Sequence, residues 1–411
     1  MPGSHDAPRR TRRRIRMRAP TARHATLTAL CAATATALLA IYACNDGTGP
    51  STTVSNAEGK QTFRFETFGD EKFWTDTLHM NEVVQTVDPT TALAVGLKVD
   101  ADTLPPAVLQ AIQEGKVDLK DPATTVTLLK LGAVVGVKAT VDSSGKVTRF
   151  GVTCALCHST VDDRIAKGIG SRLDGWPNSD LNPGAIIALS PVLTAQQKAV
   201  YNSWGPGKYD PRYNFDGKNG PVTIPPAYGL SGVHSITYTG DGPDIEYWNR
   251  YVAVTQMHGQ GDFTDPRVGI SIHQSPDLVA PKLAALQAYQ ISLQTPTPPP
   301  GSFDAAAAAR GKLVFDGVGK CATCHSGTLL TDANERLHAP SEVVTEPTYA
   351  ERSATKMYRT TPLRALVHHA PYFHDGSAAT LEAVVERYNT VKGLNLTAQQ
   401  KADLVQYLKS L

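Results

Sequence analysis

The chain has few aromatic residues and few charges. Aromatic side chains make up 7% of the 411 residues and charged side chains 19%, whereas there are 33 glycines and 28 prolines. A chain so poor in large side chains and so rich in turn formers is typical of a loop-rich protein organised around a bound group. Its length exceeds one typical domain and predicts two or three.

No cluster of basic residues follows residue 44. Eight of the arginines lie before that point, and the remainder of the chain is mildly acidic. Proteins that bind nucleic acids usually carry a basic patch, because the phosphate backbone must be neutralised. We therefore expect no nucleic-acid partner.

Residues 1–44 have the three parts of an export signal: an Arg-rich start, an apolar run over residues 25–43, and small polar residues after it. The run is short and rich in Ala and Thr, which favours a cleaved signal over a membrane anchor. The site before Cys44 resembles that of a bacterial lipoprotein, although Ile41 and Tyr42 depart from the pattern. A lipid anchor on Cys44 is therefore an alternative, and we expect a periplasmic or outer-envelope location.

Cysteine is scarce, and four of the six cysteines stand in two copies of one motif. Residues 154–158 read Cys-Ala-Leu-Cys-His and residues 321–325 read Cys-Ala-Thr-Cys-His. C-x-x-C-H is the attachment sequence of a c-type haem, in which the thiols bond to the porphyrin and the His ligates the iron. A zinc site or a redox disulfide would leave the following His unexplained. The sequence predicts two covalently bound haem c groups, attached at Cys154, Cys157, Cys321 and Cys324 and ligated by His158 and His325.

A Pro-rich segment separates the two motifs and predicts a domain boundary. The predicted fold is mainly α, with two loop-rich cytochrome c-like haem domains and a mixed N-terminal extension containing a β-hairpin. The predicted divisions are the export signal (1–44), the extension (45–130), the N-terminal haem domain (131–294), the Pro-rich linker (295–301) and the C-terminal cytochrome c domain (302–411).

Local patterns place several elements beside the motifs. Alternating residues over 133–152 predict a hairpin that leads into the first motif, and residues 281–293 predict the helix that closes the first haem domain. Ser302 is expected to cap a helix that ends at Gly317, just before the second motif. Thr397 begins a capping box for the terminal helix.

The helix that begins at Thr380 has an apolar face that ends in Tyr388. By itself this pattern indicates a buried tyrosine, which is most often a core residue.

Residues 360–364, 370–377 and 380–389 resemble the C-terminal signature of the bacterial diheme cytochrome c peroxidase and MauG-type family, across residues 302–411. In that family the Tyr388 position is usually an axial Met in the peroxidases and a ligating Tyr in MauG-type enzymes. The resemblance implies that Tyr388 ligates the second iron and lowers its potential, with Met357 as the competing ligand.

The same resemblance implies two further features of the C-terminal domain. Arg364 and His374 are expected to bind haem propionates. A Ca²⁺ ion is expected between the domains, held partly by the backbone carbonyls of His369 and Pro371.

Around the first haem the resemblance rests on residues 247–249 and 261–266. It implies that Trp248 lies between the haems and that His258 occupies the position of the distal Gln. Val268 stands where the peroxidases have a catalytic Glu, so His258 would have to move the proton, or else would ligate the iron and close the site. Met257 and His273 are alternative ligands, and each of these residues could instead be an ordinary structural side chain.

The resemblance thus favours an exported diheme oxidoreductase of the peroxidase/MauG-like type, with His258, Trp248 and Tyr388 as catalytic residues. One haem would react with hydrogen peroxide or dioxygen and the other would relay electrons to or from a partner protein, acting on peroxide or a small oxidisable substrate. The alternatives are a non-catalytic diheme electron-transfer protein and a haem oxygenase of the rubber-cleaving type, whose chains are much longer.

Overall fold

Helices dominate residues 55–411, which the computed structural model describes; the predicted export signal and Cys44 lie outside these residues. The helices are α1 (Asn56–Phe65), α2 (Met80–Val84), α3 (Pro89–Ala94), α4 (Pro106–Gln113), α5 (Pro122–Lys130), α6 (Ala155–His158), α7 (Pro183–Ala188), α8 (Ala195–Asn202), α9 (Tyr213–Asp216), α10 (Ile245–Thr255), α11 (Leu283–Ser292), α12 (Ala305–Asp316), α13 (Thr348–Glu351), α14 (Leu381–Val391) and α15 (Ala398–Lys409).

The strands are short and pair only in twos within this range. They are β1 (Val99–Asp100), β2 (Val137–Val141), β3 (Val147–Val152), β4 (Ser159–Val161), β5 (Ile169–Gly170), β6 (Arg172–Asp174), β7 (Lys208–Tyr209), β8 (Val222–Thr223), β9 (Phe263–Asp265) and β10 (Ile270–Ile272). The pair β1–β5 is parallel, and β2–β3, β4–β6, β7–β8 and β9–β10 are antiparallel. The described chain is therefore mainly helical with small sheets.

The extension before residue 131 is built largely of short capped helices. Asp88 accepts a hydrogen bond from the Thr91 amide at the start of α3, and Asp121 accepts one from the Ala123 amide at the start of α5. A proline follows each of these aspartates, and its φ angle suits the first helical position. Leu128 of α5 shares a buried apolar cluster with Trp74 and with Phe150 of β3. The extension therefore packs on the hairpin that precedes the first motif.

The hairpin β2–β3 carries the chain directly into the first Cys-x-x-Cys-His motif. It lies beyond residue 130, so it belongs to the segment assigned to the first haem domain and not to the extension. Gly136 has a φ of +74°, and a Cβ there would lie 2.1 Å from the Cα of Leu156. Only glycine permits this approach, which seats the motif against the start of the hairpin.

The C-terminal part is built on helices α12 and α15, which pack across each other. Ser302 was predicted as the cap of α12, and this is wrong: Asp304 accepts the hydrogen bond from the Ala307 amide, 3.0 Å away. A carboxylate two residues later is closer to the first free amides than the Ser302 hydroxyl. The capping box at Thr397 and Gln400 is confirmed.

The parts on either side of residues 295–301 contact each other. The Thr223 amide donates to the His374 carbonyl at 2.7 Å, and the Trp176 ring lies 4.7 Å from the His368 ring. The division into two haem domains and a linker stays a prediction. None of the helices in residues 55–411 combines the length and the hydropathy needed to cross a membrane.

Candidate functional site

The two Cys-x-x-Cys-His motifs share a helical hydrogen bond, although the first is an α-helical turn and the second begins with a 3-10 turn. In each, the His amide donates to the carbonyl of the first Cys, from His158 to Cys154 at 3.2 Å and from His325 to Cys321 at 3.0 Å. A turn of this kind brings the imidazole and the two thiols to one side of the backbone. Both motifs can therefore present two thiols and a histidine to one flat group.

Each motif histidine is oriented by a backbone carbonyl. The Nδ1 atom of His158 lies 3.1 Å from the Pro225 carbonyl oxygen, and that of His325 lies 3.2 Å from the Leu330 carbonyl oxygen. With Nδ1 donating its proton, Nε2 keeps a free lone pair, which is the form that binds a metal. Burial lowers the pKa of both imidazoles to about 4, so both are neutral at pH 7.

The four motif thiols are free, and three of them are poorly ionised. Burial raises the pKa of Cys154 and of Cys157 to about 12, and that of Cys321 to about 11. Zinc binding and disulfide exchange both use the thiolate, which is favoured at electropositive and partly exposed sites. These surroundings argue against a zinc or redox-disulfide site and suit thioether attachment.

The second motif opens onto a cavity of about 480 Å³. The wall includes both motif cysteines, His325, Tyr388 and His374, together with apolar side chains from α14 and α15. Cofactor sites of this size are usually apolar with a few convergent polar groups. The cavity and its donors fit a haem attached at Cys321 and Cys324.

Two arginines beside this cavity have no counter-ion among the described residues. The Arg359 guanidinium donates to the Ser235 carbonyl, while its Nε atom is buried without a partner. Burial lowers the pKa of Arg359 to about 10, and burial also lowers that of Arg364. Two neighbouring cations, of which Arg364 is only half-buried, favour nearby anions, and the carboxylates of a haem would supply them. The sequence analysis expected this role for Arg364 but missed Arg359, which directly precedes the family signature.

His374 is held by the protein through both ring nitrogens. Its Nε2 lies 2.8 Å from Glu346 Oε1 and its Nδ1 lies 2.8 Å from Thr345 Oγ1. The ring also stacks on Tyr349 at 5.5 Å. With both nitrogens engaged, His374 is not available as an iron ligand, and its propionate role stays a prediction.

Tyr388 and Met357, the two candidate ligands for the second iron, differ in position. Tyr388 lines the cavity with His325, and burial raises the pKa of its phenol to about 12. Met357 is absent from the cavity wall, although its neighbours Tyr358 and Arg359 belong to it. The arrangement favours Tyr388 as the side chain that faces the second haem.

The first motif is flanked by buried hydroxyl groups with no partner in the described chain, those of Tyr209 and Tyr228. Asp70, from the extension, is also fully buried and accepts a hydrogen bond from the Val152 amide at 3.2 Å. Burial raises the pKa of Asp70 to about 9, because no cation pairs with it in this part of the chain. Unpaired polar groups around Cys154 and Cys157 fit a site completed by a bound group.

His258 lies in the turn after α10, against the extension. Its ring stacks on Phe73 with centroids 3.7 Å apart, and its Nε2 lies 3.3 Å from Asn214 Nδ2. Burial lowers its pKa to about 4, so the ring is neutral at pH 7. Thr75, two residues after Phe73, forms two hydrogen bonds with the backbone of Phe150 in β3: its hydroxyl donates to the carbonyl and accepts from the amide. His258 is thus connected to the strand that leads to Cys154 through the extension, a connection that the sequence analysis did not anticipate.

Trp248 lies where the surroundings of the two motifs meet. It packs against a small cluster of Val233, Ile236 and Ile245 that also contacts Leu230 and Leu329. Leu230 lies five residues after Pro225, whose carbonyl orients His158. Leu329 directly precedes Leu330, whose carbonyl orients His325. The indole also stacks on Tyr251, with centroids 4.6 Å apart. This position suits an aromatic side chain between two haems.

Comparisons with known proteins agree with these features. The family model described as Cytochrome c matches residues 308–411. The methylamine utilization protein MauG of Methylorubrum extorquens is 31% identical over 121 residues, covering 25% of this chain and 34% of that protein. The cytochrome-c peroxidase IdrP1 of Denitromonas iodatirespirans is 28% identical over 151 residues, covering 26% of this chain and 40% of that protein. The chain thus spans well under half the length of these curated relatives.

Residues 308–411 therefore match the Cytochrome c family, and the chain is similar to MauG and to cytochrome-c peroxidases. The Cytochrome c match, together with these relatives, implies covalently bound haem c. Among solved structures, a MauG-like protein associated with microbial copper homeostasis aligns at 23% identity with a TM-score of 0.32, covering 47% of this chain and 74% of that chain.

Other residues expected from the cytochrome c peroxidase/MauG-like family are less centrally placed. The His273 side chain is 68% exposed and lies near Ser271 and Asp262 at the surface. Met257 is buried, and its carbonyl accepts a hydrogen bond from Trp74. Cys324, Asp332 and His338 form a cluster of potential metal ligands in residues 55–411, but Cys324 is also a predicted haem-attachment residue. The calcium site at His369 and Pro371 stays a prediction.

Proposed function

We propose that this protein carries two haem c groups and is a peroxidase/MauG-like oxidoreductase, in which one haem reacts with hydrogen peroxide or dioxygen and the other relays electrons. The matched geometry of His158 and His325 carries this proposal. Each imidazole is neutral, is oriented through Nδ1 by a carbonyl and keeps Nε2 free beside two thiols. When bound, haem supplies an iron that exchanges electrons and binds small oxygen species.

His258 is proposed as the proton-transferring residue near the first haem. Its low pKa keeps the ring neutral at pH 7, so it can accept a proton and, being buried, readily returns it. Asn214 and the Phe73 ring hold the imidazole in one orientation. No carboxylate stands at Val268, so the proton would move through His258 alone.

Tyr388 is proposed as a ligand of the second iron, and Trp248 as an electron relay between the haems. A phenol with a pKa of about 12 keeps its proton at pH 7 unless a cation lies beside it, so ligation by Tyr388 requires the ferric state. Trp248 would offer an oxidisable aromatic ring between the two haems, and its packing on the cluster that also contacts Leu230 and Leu329 supports this role. The protein would receive or deliver its electrons through a partner protein, in the periplasm or outer envelope.

The test is a stepwise reduction of the purified holoprotein, with hydrogen peroxide added to each redox form. We expect at least one form to consume peroxide rapidly with a changed Soret band. The His258→Ala variant should lose this reaction by about 100-fold or more, since a general base contributes that much. His273→Ala, a surface histidine, serves as the matched control and should react like the parent protein.

Two low-spin haems that ignore peroxide in every redox form would overturn the proposal and indicate an electron-transfer protein. A gain of peroxide reactivity in His258→Ala would show instead that His258 closes the first iron as a ligand. An unchanged rate would assign His258 a structural role only.

A further inference from the structure

The extension encloses an apolar cavity of about 90 Å³ that none of the preceding functions uses. It is formed where α2, α3, α5 and the hairpin meet, and its wall includes Trp74, Met80, Ala92, Phe150 and Leu156. We call it the inner chamber. A water molecule needs only about 10–15 Å³ of such space, so the chamber is large enough for a small ligand.

The inner chamber offers almost no hydrogen-bond partners to a water molecule. Of the two polar side chains in its wall, Lys98 directs its ammonium group away to Asp180, with a 2.5 Å contact. Thr125 has a hydroxyl without a partner among the described residues, which is one polar group where a water needs two to four. Apolar cavities of this kind stay dry and take up xenon or small hydrocarbons. The volume here suits a single small apolar molecule.

The inner chamber adjoins a second, more open apolar groove of about 420 Å³ between α3, α4 and α5. Four residues belong to both walls: Pro89, Leu93, Val99 and Leu128. Side-chain rotation of a residue such as Leu93 is enough to join two spaces that share a wall, on a timescale of nanoseconds or slower. The groove therefore provides an apolar entrance from the side of the extension.

At its other end the inner chamber reaches the first haem motif. Leu156, which lines it, stands between Cys154 and Cys157 in the attachment loop. The chamber wall therefore includes the residue that lies between the two predicted attachment cysteines. The chamber does not share wall residues with the cavity at the second motif.

We propose that the inner chamber is a binding site for a small apolar gas of the size of dioxygen, admitted through the groove between α3 and α5. The chamber selects a ligand by its size and by its lack of polar groups, because the apolar surface of the ligand contacts the apolar wall and both are removed from water. Hydrogen peroxide, which needs hydrogen bonds, is excluded from it. Gas binding is a property of the chamber itself and does not depend on which haem reacts.

The test uses xenon as the probe on the holoprotein. Crystals pressurised with xenon should show anomalous density within the walls formed by Ala92, Phe150 and Leu156. The variant Ala92→Leu fills the chamber and should abolish this density, while Ala309→Leu on the exposed face of α12 should leave it unchanged. Xenon-129 NMR in solution gives the same reading without crystals, as a concentration-dependent shift that Ala92→Leu removes.

The proposal is overturned if the parent protein binds no xenon in the chamber, or if an ordered water bound to Thr125 occupies it under pressure. It is also overturned if Ala92→Leu folds, shown by an unchanged haem spectrum, and still binds xenon there. Because peroxide reactivity plays no part in these readings, failure here leaves the proposed function untouched. If Ala92→Leu does not fold, Leu93→Trp provides the second variant. The larger side chain lies between the groove and the inner chamber, so it should slow the exchange of xenon between the chamber and the solvent.

Discussion

Arg352 Nη2 lies 2.9 Å from Asp210 Oδ1, and the two side chains are 8% and 0% exposed. The same guanidinium binds Asp216 at 2.8 Å and the Lys218 carbonyl at 2.6 Å. Arg352 follows the Pro-rich segment in the chain, whereas all three partners precede it. One buried cation therefore links segments that lie on either side of the Pro-rich segment in the chain.

Replacing this cation should cost much stability. Arg352→Met leaves Asp210 buried without its counter-ion, and we expect a loss of about 3 kcal/mol in the free energy of unfolding of the holoprotein. Urea unfolding followed by tryptophan fluorescence measures it. The control is Arg149→Met, because Arg149 and Asp76 form a pair with both side chains about half exposed. That change should cost less than about 1 kcal/mol, and equal losses in the two variants would refute the argument.

Tyr388→Phe should change the second haem. If the phenolate ligates, its removal takes away an anionic ligand that favours ferric iron, so the ferric spectrum should shift and the midpoint potential should rise. Spectroelectrochemistry checks both. Tyr372→Phe is the matched control, because Tyr372 lines the same cavity while donating its hydroxyl to the Leu366 carbonyl. An unchanged spectrum in Tyr388→Phe would remove the tyrosine ligand from the proposal.

Asp70→Asn should stabilise the protein at alkaline pH. The pKa of Asp70 is about 9 in the folded protein and about 4 when unfolded, so between these values the folded state holds the extra proton. The free energy of unfolding therefore falls as the pH rises toward 9, by up to about 1.4 kcal/mol per pH unit. Asn cannot ionise, so the free energy of unfolding of Asp70→Asn, measured by urea titration, should vary less between pH 5 and 9 than that of the parent protein. This range lies within the window of roughly 4 to 9 that the two pKa values set.

Asp76→Asn, an exposed carboxylate six residues further on, is the comparison for this profile and should keep the slope of the parent protein. A parental slope in Asp70→Asn would mean that Asp70 is ionised in the folded state.

Arg359→Gln should lower the midpoint potential of the second haem. A buried cation beside the cavity stabilises the reduced state, which carries one more negative charge, so its loss favours the oxidised state. Arg310→Gln changes an arginine that is about half exposed and paired with Asp403, and it should leave the potential unchanged. Equal potentials in parent and Arg359→Gln would place Arg359 away from the haem.

Residues adjacent in the chain made much of the site predictable. The spacing in Cys-x-x-Cys-His is a property of one helical turn, so both motifs could be recognised without any tertiary contact. Local rules also placed Gly317 and Thr397 at helix ends. The prediction at Ser302 was wrong because Asp304 offered a better acceptor nearby.

The sequence by itself determined the haem motifs and the termini of the helices around the second one, because each depends on residues within a few positions of one another. Only the tertiary structure decided which carbonyls orient His158 and His325, that Arg359 is a buried cation without an anion among residues 55–411, and that the extension reaches His258 through Phe73. These relationships join residues far apart in the chain. They depend on how the segments pack, because burial and partner geometry arise from packing and not from local spacing.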